Sequence, residues 1–314
     1  MNKKGKEKGL FLLIGLFIAI LVLFLNETGL FERLELMTVD LRFKVNARKL
    51  YRGNDVVLVA IRPEDIKALG KFPWPRSYYA QVIDRLRAAG AKVICFDIFF
   101  SFPRSPAGDR ALVEATRKAG NVLYPVFYPQ GLTAKMFRGG PAVVPKLTGN
   151  IPALARAAAG QGHINLKEDL DGKIRSVPFA LSFKGKIFPA TGLLSVLKYK
   201  DISWKDVREK DNFLYAGAYR IPLDKGGDIL IKNFGLMGEI PWFHFADVKE
   251  GKIPKKFFRG KIVIVGYTIS GAADTDIYLT PRDRQFGITI IASLIDTILR
   301  RDFLRYLPFS IHSI

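Results

Sequence analysis

The chain has 314 residues, of which 49% are hydrophobic, and its formal net charge is +20. This composition excludes a disordered protein, and the single cysteine excludes an intrachain disulfide. The basic residues are spread along the chain without zinc-finger spacing or a ribonucleoprotein-type motif, so we expect no nucleic-acid partner. We attribute the charge to a surface close to anionic lipid headgroups.

The first element is an apolar run at residues 9–25, which contains 17 residues and no charge. That length is at the short end of what crosses a bilayer as a helix, and the lysines in residues 1–8 favour a cytoplasmic N-terminus. A cleaved signal peptide is the alternative, but a small-residue cleavage site is missing. We expect a cytoplasmic basic tail at 1–8, a transmembrane signal anchor at 9–25 and an extracytoplasmic domain at 26–306.

The segment after the apolar run, residues 29–49, has apolar side chains at helical spacing. They are Leu30, Leu34, Met37, Leu41 and Val45. We expect an amphipathic helix that carries the chain into the domain and transmits motion to the membrane span. A helix that merely packs on the core is the alternative.

From residue 55 onward, apolar strand patterns alternate with helix patterns. Strands are predicted at 55–61, 92–100, 121–128 and 261–266, and helices at 77–89, 109–119, 151–159, 188–198, 243–250 and 287–300. Ser77 is the expected cap of the first of these helices. Shorter strands are expected at 162–183 and a hairpin region at 212–234. The fold class is therefore α/β, with a largely parallel sheet, helical crossovers and a shorter-stranded insertion.

The last residues, 307–314, are apolar after Pro308. They are interpreted as the start of a second membrane span that is cut short. A ragged, partly apolar tail is the alternative.

Several motifs of catalysis are missing from the sequence. It has no phosphate-cradling loop, no nucleophile elbow, no H-E-x-x-H and no kinase or cyclase catalytic set. The histidines are isolated and no cysteine pair supports zinc. We therefore expect no enzyme, no cofactor and no metal site.

The first group of candidate site residues is the turn Phe72-Pro73-Trp74-Pro75-Arg76. Its prolines stiffen the backbone, so Trp74 and Arg76 could present a stacking surface beside a guanidinium to a planar or anionic ligand. The alternative is that the turn plugs the core, with Arg76 paired to a carboxylate.

The second group consists of carboxylates. Asp97 lies near the carboxyl end of a predicted strand, and Asp274 and Asp276 lie in the loop after the strand at 261–266. Ligands of open α/β sheets bind outside the carboxyl ends of strands, so these groups could converge and take a cation or an amine. Alternatively, Asp97 pairs with Arg76 and Asp274 caps a loop.

The third group is Gly162-His163-Ile164-Asn165, which precedes Asp169, Asp171, Gly172 and Arg175. Asp171-Gly172 is a hairpin-turn signal. Asp169 and Asp171 are spaced like the start of a calcium loop, but the later ligands are missing. Turn formation is the preferred interpretation.

Taken in order, these residues resemble the second type of CHASE domain, an extracellular sensory module associated with cyclases and histidine kinases. The residues that carry the resemblance are Asp40-Leu41-Arg42-Phe43, 56–61, 70–76, 91–99, 162–165, 171–175, 260–266, Asp274 and 286–299. The resemblance implies a sensory input module, usually followed by membrane helices and a cyclase or kinase output. Arg62-Pro63 departs from the family pattern, which has acidic residues there, and this weakens a metal or amine ligand.

We therefore expect the extracytoplasmic sensory domain of a membrane-bound signal transduction receptor, located at the inner or plasma membrane. An unidentified small-molecule or envelope ligand would bind the candidate residues Trp74, Arg76, Asp97, His163, Asn165 and Asp274. Ligand binding would shift the helices at 29–49 and 287–300 relative to each other, and a homodimer would suit this role. The alternatives are a membrane-anchored envelope interaction protein without output and a metal-assisted hydrolase that uses Asp97 and Asp274.

Overall fold

The computed structural model of the protein describes residues 3–28, 30, 33, 36–41, 54–130, 140–224, 226–232, 234–269 and 276–303. A six-stranded sheet in which all neighbouring strands are parallel lies at its centre. Numbered in chain order, its strands lie side by side as β13 (Trp242–His244), β1 (Val56–Ile61), β14 (Ile262–Tyr267), β2 (Val93–Asp97), β3 (Val122–Val126) and β5 (Gly160–His163). The predicted α/β class is confirmed.

The middle strands of this sheet are buried along their length. Every residue of β1 and β2 is buried, and β1 runs beside β14 from Val56 opposite Ile262 to Ile61 opposite Tyr267. Parallel strands covered on both faces are made almost entirely of apolar residues, and these strands follow that rule up to their last residues. In β1, β2 and β14, the side chains with an ionisable oxygen are Asp97 and Tyr267. Each of them is the last residue of its strand, at the carboxyl end.

Helices cover both faces of the sheet. Side chains alternate along the strands, so that Leu58 joins one core and Val59 the other. The first core packs against α6 (Thr191–Tyr199) and α8 (Gly287–Arg300). The second core packs against α2 (Pro63–Leu69), α3 (Arg76–Ala88), α4 (Pro106–Ala119), α5 (Pro152–Ala157) and α7 (Phe245–Glu250).

Short sheets, mostly antiparallel, form the predicted insertion. One joins β4 (Ala142–Val143), β7 (Ala180–Phe183) and β8 (Lys186–Pro189), and another pairs β6 (Ser176–Pro178) with β12 (Asp228–Leu230). A meander contains β9 (Arg208–Lys210), β10 (Phe213–Ala216) and β11 (Tyr219–Pro222). The last pair, β15 (Ile277–Leu279) and β16 (Arg284–Phe286), leads directly into α8.

Some predicted boundaries are wrong for local reasons. The helix predicted at 243–250 begins only at Phe245, because the preceding residues form the edge strand β13 beside β1. Ser77 caps no helix, since α3 begins at Arg76 after Pro75. A serine cap occurs instead at α4, where the Ser105 side chain accepts a hydrogen bond from the Gly108 N–H.

The N-terminal helix α1 spans Lys3–Glu27. Its described apolar side chains, from Leu10 to Phe24, are exposed. Within the described part of the chain, no helix combines the length and apolar character needed to cross a membrane. The anchor at 9–25 stays a prediction, and the span predicted at 307–314 lies outside the described residues.

The segment after α1 is helical at residues 30, 33 and 36–41. The face that it packs against the domain is not the face predicted from the spacing. Leu30, Met37 and Leu41, which the spacing assigns to the apolar face, are exposed. Leu36 and Asp40 of the other face are buried. The prediction of the buried face is wrong for these residues, because the apolar side chains of Leu36 and Val39 pack on the domain and Asp40 on the same face pairs with Arg175. Leu34 and Val45 lie outside the described residues.

We predict that Gly162→Ala destabilises the fold by about 1–3 kcal/mol, because the added methyl group has no space. It would lie 2.8 Å from the Cα of Thr191 and 2.9 Å from the Pro189 carbonyl oxygen. Gly238→Ala is the control, since no atom lies within 4 Å of its methyl position, and it should change stability by less than about 0.5 kcal/mol. Chemical denaturation measures both, and equal effects would contradict the prediction.

Candidate functional site

Trp74 lies in the core beneath the carboxyl edge of the sheet. It is 1% exposed, its ring stacks on Phe245 with centroids 5.1 Å apart, and its Nε1–H donates to the Gly70 carbonyl at 3.0 Å. Phe72 packs against it edge-on. The sequence left two roles open for Trp74, ligand binding and packing in the core. These contacts are those of a packing residue.

Arg76 is also an interior residue. Its Nη1 lies 2.7 Å from Oδ1 of Asp109, and its Nη2 donates to the Phe102 carbonyl. The expected carboxylate partner is therefore present, but it is Asp109 rather than Asp97. The pair fixes the loop before α4, where Asp109 also accepts a hydrogen bond from the Arg104 N–H.

His163 and Asn165 join the end of β5 to its surroundings. The Asn165 amide accepts from the Tyr128 N–H at 2.9 Å and donates to the Tyr128 carbonyl at 2.7 Å. His163 is 1% exposed, and its Nε2 lies 3.0 Å from the Pro178 carbonyl. Burial lowers the pKa of His163 to about 3, so the ring is neutral at ordinary pH.

Asp97 and Asp276 lie near enough for their charges to interact, which is one of the two alternatives that the sequence left open for the second group of candidates. Asp97 ends β2 opposite Gly266 of β14, and Asp276 precedes β15. Burial raises the pKa of Asp97 well above its usual range, and the negative charge of Asp276 raises it further. Asp274 lies outside the described residues.

Two tyrosines, Tyr267 and Tyr278, lie close to Asp97 and Asp276, and neither was among the candidates predicted from the sequence. Tyr278 donates a hydrogen bond to Asp276, and burial followed by the Asp276 charge raises the pKa of Tyr278. Burial is also the main reason that the pKa of Tyr267 is raised, with Asp97 adding to it. The signal for Tyr267 was its place directly after the predicted strand at 261–266. We name Asp97, Asp276, Tyr267 and Tyr278 the carboxyl-edge cluster.

A second cluster of charges surrounds Arg175, which is 1% exposed. Its guanidinium donates to Asp40 at 2.9 Å, to Asp169 at 2.7 Å, and to both carboxylate oxygens of Asp171 at 2.8 and 2.7 Å. Lys173 also donates to Asp40. The hydrogen bond from Arg175 lowers the pKa of Asp171 to about 2, whereas burial outweighs the same partner at Asp169 and raises its pKa.

The Arg175 cluster explains the third group of candidates. Asp169 and Asp171 serve as ion-pair partners, and the predicted turn is present, with the Gly172 N–H bonded to the Asp169 carbonyl. Gly172 has a φ of 74°, the left-handed conformation that favours glycine. Across the described ranges, no group of three or more candidate metal ligands occurs.

The two clusters are joined by β15. The Ile174 N–H, one residue before Arg175, donates to the Leu279 carbonyl at the end of β15. Asp276 stands just before the start of the same strand. The Arg175 cluster and the carboxyl-edge cluster therefore share one short piece of backbone.

In a comparison with protein families, residues 15–313 match a family described as CHASE2 domain. This range covers nearly the whole chain and confirms the resemblance stated from the sequence. A comparison with curated proteins and with solved structures gave no significant match.

We predict that His163 makes the fold sensitive to acid. Its folded pKa of about 3 lies below the ordinary value of 6.5, so the unfolded chain binds a proton first and stability falls as pH drops below 6.5. The loss is about 1.4 kcal/mol per pH unit. His163→Gln keeps a donor for Pro178 and removes this loss.

Denaturation at pH 7.5 and at pH 5 measures the effect. Between these values the stability of the wild type relative to His163→Gln should fall by about 2 kcal/mol. A difference that stays constant would contradict the neutral buried histidine.

Proposed function

The chain belongs to the CHASE2 domain family, and on that premise we propose that it is the sensory input domain of a signal transduction receptor. CHASE2 domains are sensory modules and are typically extracytoplasmic. We propose that this one lies outside the cytoplasm, is tethered to a membrane by the apolar residues 9–25, and acts on a cyclase or kinase output.

The observation that carries the proposal is the Arg175 cluster. A sensor must pass a change in its body to the chain segment that leads to the membrane. Asp40 belongs to the helical segment that follows α1, and the buried Arg175 holds it against the domain at 2.9 Å. This ion pair is buried, so breaking it costs far more than breaking a surface pair.

The helix α8 supports the same proposal from the other end of the chain. It contains 14 residues and is therefore about 21 Å long. Its first residue donates a backbone hydrogen bond to Asp276. Near its last turn, the charge of Asp55 adds to the burial that raises the pKa of Asp296. One rigid helix thus extends from the carboxyl-edge cluster to the residue just before β1.

As the mechanism, a ligand at the carboxyl edge changes the position of α8 and, through β15, of the Arg175 cluster. A signal requires that the ligand bind one of two arrangements more tightly, since equal affinity for both shifts nothing. Trp74, Arg76, His163 and Asn165 then act as supports of this edge. Their side chains make the contacts described above.

The membrane tether rests on α1. Its described side chains from Leu10 to Phe24 expose a continuous apolar surface, and its first six residues include Lys3, Lys4, Lys6 and Lys8. Anionic headgroups on the cytoplasmic side attract such a cluster.

We further propose that the domain binds its ligand without chemical turnover, which fits a sequence without a catalytic motif.

Reporter fusions test the location. Alkaline phosphatase folds only outside the cytoplasm, so a fusion after residue 303 should be active in a Gram-negative host, and deletion of residues 9–25 should abolish that activity. Phosphatase activity that remains after this deletion would contradict the tether. A full-length fusion without phosphatase activity would contradict the extracytoplasmic location.

Immunoblotting of native membranes against this domain tests the output. A species well above 35.2 kDa would support an attached output, and sequencing would identify it. A species of that mass would favour the envelope interaction protein over the receptor.

We predict that Arg175→Gln releases the segment at 36–41 from the domain. Three carboxylates lose their common cation, and the loss of one partner of a buried ion pair costs about 3–5 kcal/mol. Hydrogen exchange of the amides at 36–41 should therefore become much faster. Arg220→Gln is the control, because Arg220 is exposed and stacks on Phe213. Unchanged exchange at 36–41 in Arg175→Gln would refute the attachment.

A further inference from the structure

Three polar or aromatic side chains meet where β1 and its edge neighbour β13 end. In the parallel register Trp242 lies opposite Leu58 and His244 opposite Ala60, and Arg62 directly follows β1 in extended conformation. Because side chains alternate along extended chain, the three share one face of the sheet. Ligands of open α/β sheets bind outside such carboxyl ends. We name Arg62, Trp242 and His244 the edge-strand cluster.

The guanidinium of Arg62 is positioned by an aromatic ring. Its Cζ lies 4.9 Å from the centroid of the Trp242 indole, and its Nε lies 3.4 Å from Oε2 of the exposed Glu64. Among the described residues, no acceptor forms a hydrogen bond with Nη1 or Nη2. These two nitrogens form a planar fork that matches the two oxygens of a carboxylate. Arg62 therefore offers a held cation to an acid.

The imidazole of His244 is oriented by a buried carboxylate. Its Nδ1 lies 3.1 Å from Oδ2 of Asp65, whose side chain has no exposed surface. Oδ1 of Asp65 accepts the Ala246 N–H at 2.8 Å, and Oδ2 accepts the Arg62 N–H at 2.9 Å. Since both oxygens already accept N–H bonds, the hydrogen between the two side chains belongs on Nδ1. Nε2 then faces outward as an acceptor, and no described residue pairs with it.

A structural role explains Asp65 but leaves the other groups unexplained. Asp65 ties the start of α2 to the start of α7 through two backbone N–H groups, and this needs neither an imidazole nor a guanidinium. The His244 ring centroid lies 5.1 Å from that of Trp242, so His244 and Arg62 flank the same indole. Both of their side chains are 33% exposed. One small molecule can therefore reach both.

We propose that the edge-strand cluster binds a small organic acid that carries a hydrogen-bond donor next to its carboxylate, which describes hydroxy acids and amino acids. The carboxylate accepts hydrogen bonds from Nη1 and Nη2 of Arg62, and the neighbouring hydroxyl or ammonium group donates to Nε2 of His244. The inference deepens the proposed sensory function by naming a ligand class, and it rests on that function for biological meaning. Trp242 also packs against the core that contains α8 residues, so the ligand would touch the layer that the proposed mechanism moves.

Calorimetric titration of the full-length protein in detergent tests the proposal. At about pH 8, where an ordinary histidine is neutral, L-lactate, L-alanine and propionate are compared. Propionate has the same carbon chain and carboxylate but no donor. L-lactate or L-alanine should bind roughly threefold to tenfold more tightly than propionate, the usual gain from one hydrogen bond. The tighter of the two shows whether the donor is a hydroxyl or an ammonium group.

Variants assign the two contacts. Arg62→Gln should weaken binding of the preferred acid at least about tenfold, because a charged hydrogen-bonding partner is lost. His244→Asn keeps an N–H for Asp65 but removes Nε2, so the preference over propionate should disappear. Arg220→Gln is the matched control, since it changes another exposed arginine that lies over an aromatic ring, Phe213. It should bind as the wild type does.

The proposal is overturned if neither L-lactate nor L-alanine binds the wild type with a Kd below about 10 mM. Wild-type affinity in Arg62→Gln, or an unchanged preference in His244→Asn, also overturns it. If a variant does not fold, nitrogen NMR of the wild type decides, because Nε2 of His244 must shift with the preferred acid and not with propionate. These readouts do not depend on membrane topology or on an output, so they can fail while the fusions and the immunoblot succeed, or succeed while those fail.

Discussion

The constraint on which this structure depends is the burial of a parallel sheet on both faces. Strands β1, β2 and β14 lie between two helical layers, so their interior positions accept apolar side chains. The acid and the phenol that they carry, Asp97 and Tyr267, lie at carboxyl ends. The ionisable oxygens of these strands therefore lie at one edge, where Phe72 packs against both Tyr267 and Trp74.

The Arg175 cluster adds a second constraint, at the place where the segment at 36–41 meets the body. Leu36 and Val39 of this segment are buried, whereas Met37 and Leu41 are exposed. A guanidinium buried to 1% exposure needs carboxylate partners, and Asp40, on the buried face, supplies one of them. The attachment therefore combines apolar packing with an ion pair, and the ion pair makes it dependent on charge.

The sequence predicts the parts of this fold that rest on local pattern. The helix at 287–300 and the central strands follow from periodicity, and the turn at Asp171-Gly172 follows from its residue types. It predicts poorly what depends on distant partners. The pairing of Arg76 with Asp109 rather than Asp97, and the edge strand β13, are set by neighbours far along the chain. Proximity of Asp97 and Asp276 was one of two alternatives that the sequence left open, since the carboxyl ends of parallel strands share an edge. Their tyrosine partners were not foreseen, because no local pattern marks them.

The position of α8 explains how an event at the carboxyl edge can matter elsewhere. At its start, the helix packs closely against β14 and against the segment before β15. A methyl group on Gly266 would lie 2.3 Å from Cγ2 of Ile288, and one on Gly287 would lie 2.3 Å from Oδ2 of Asp276. Interiors packed this closely transmit displacement instead of absorbing it. At its other end, the helix carries Asp296 into the field of Asp55, next to the first strand of the sheet. A single helix therefore connects the segment before β15 to the end of the domain where the chain joins β1.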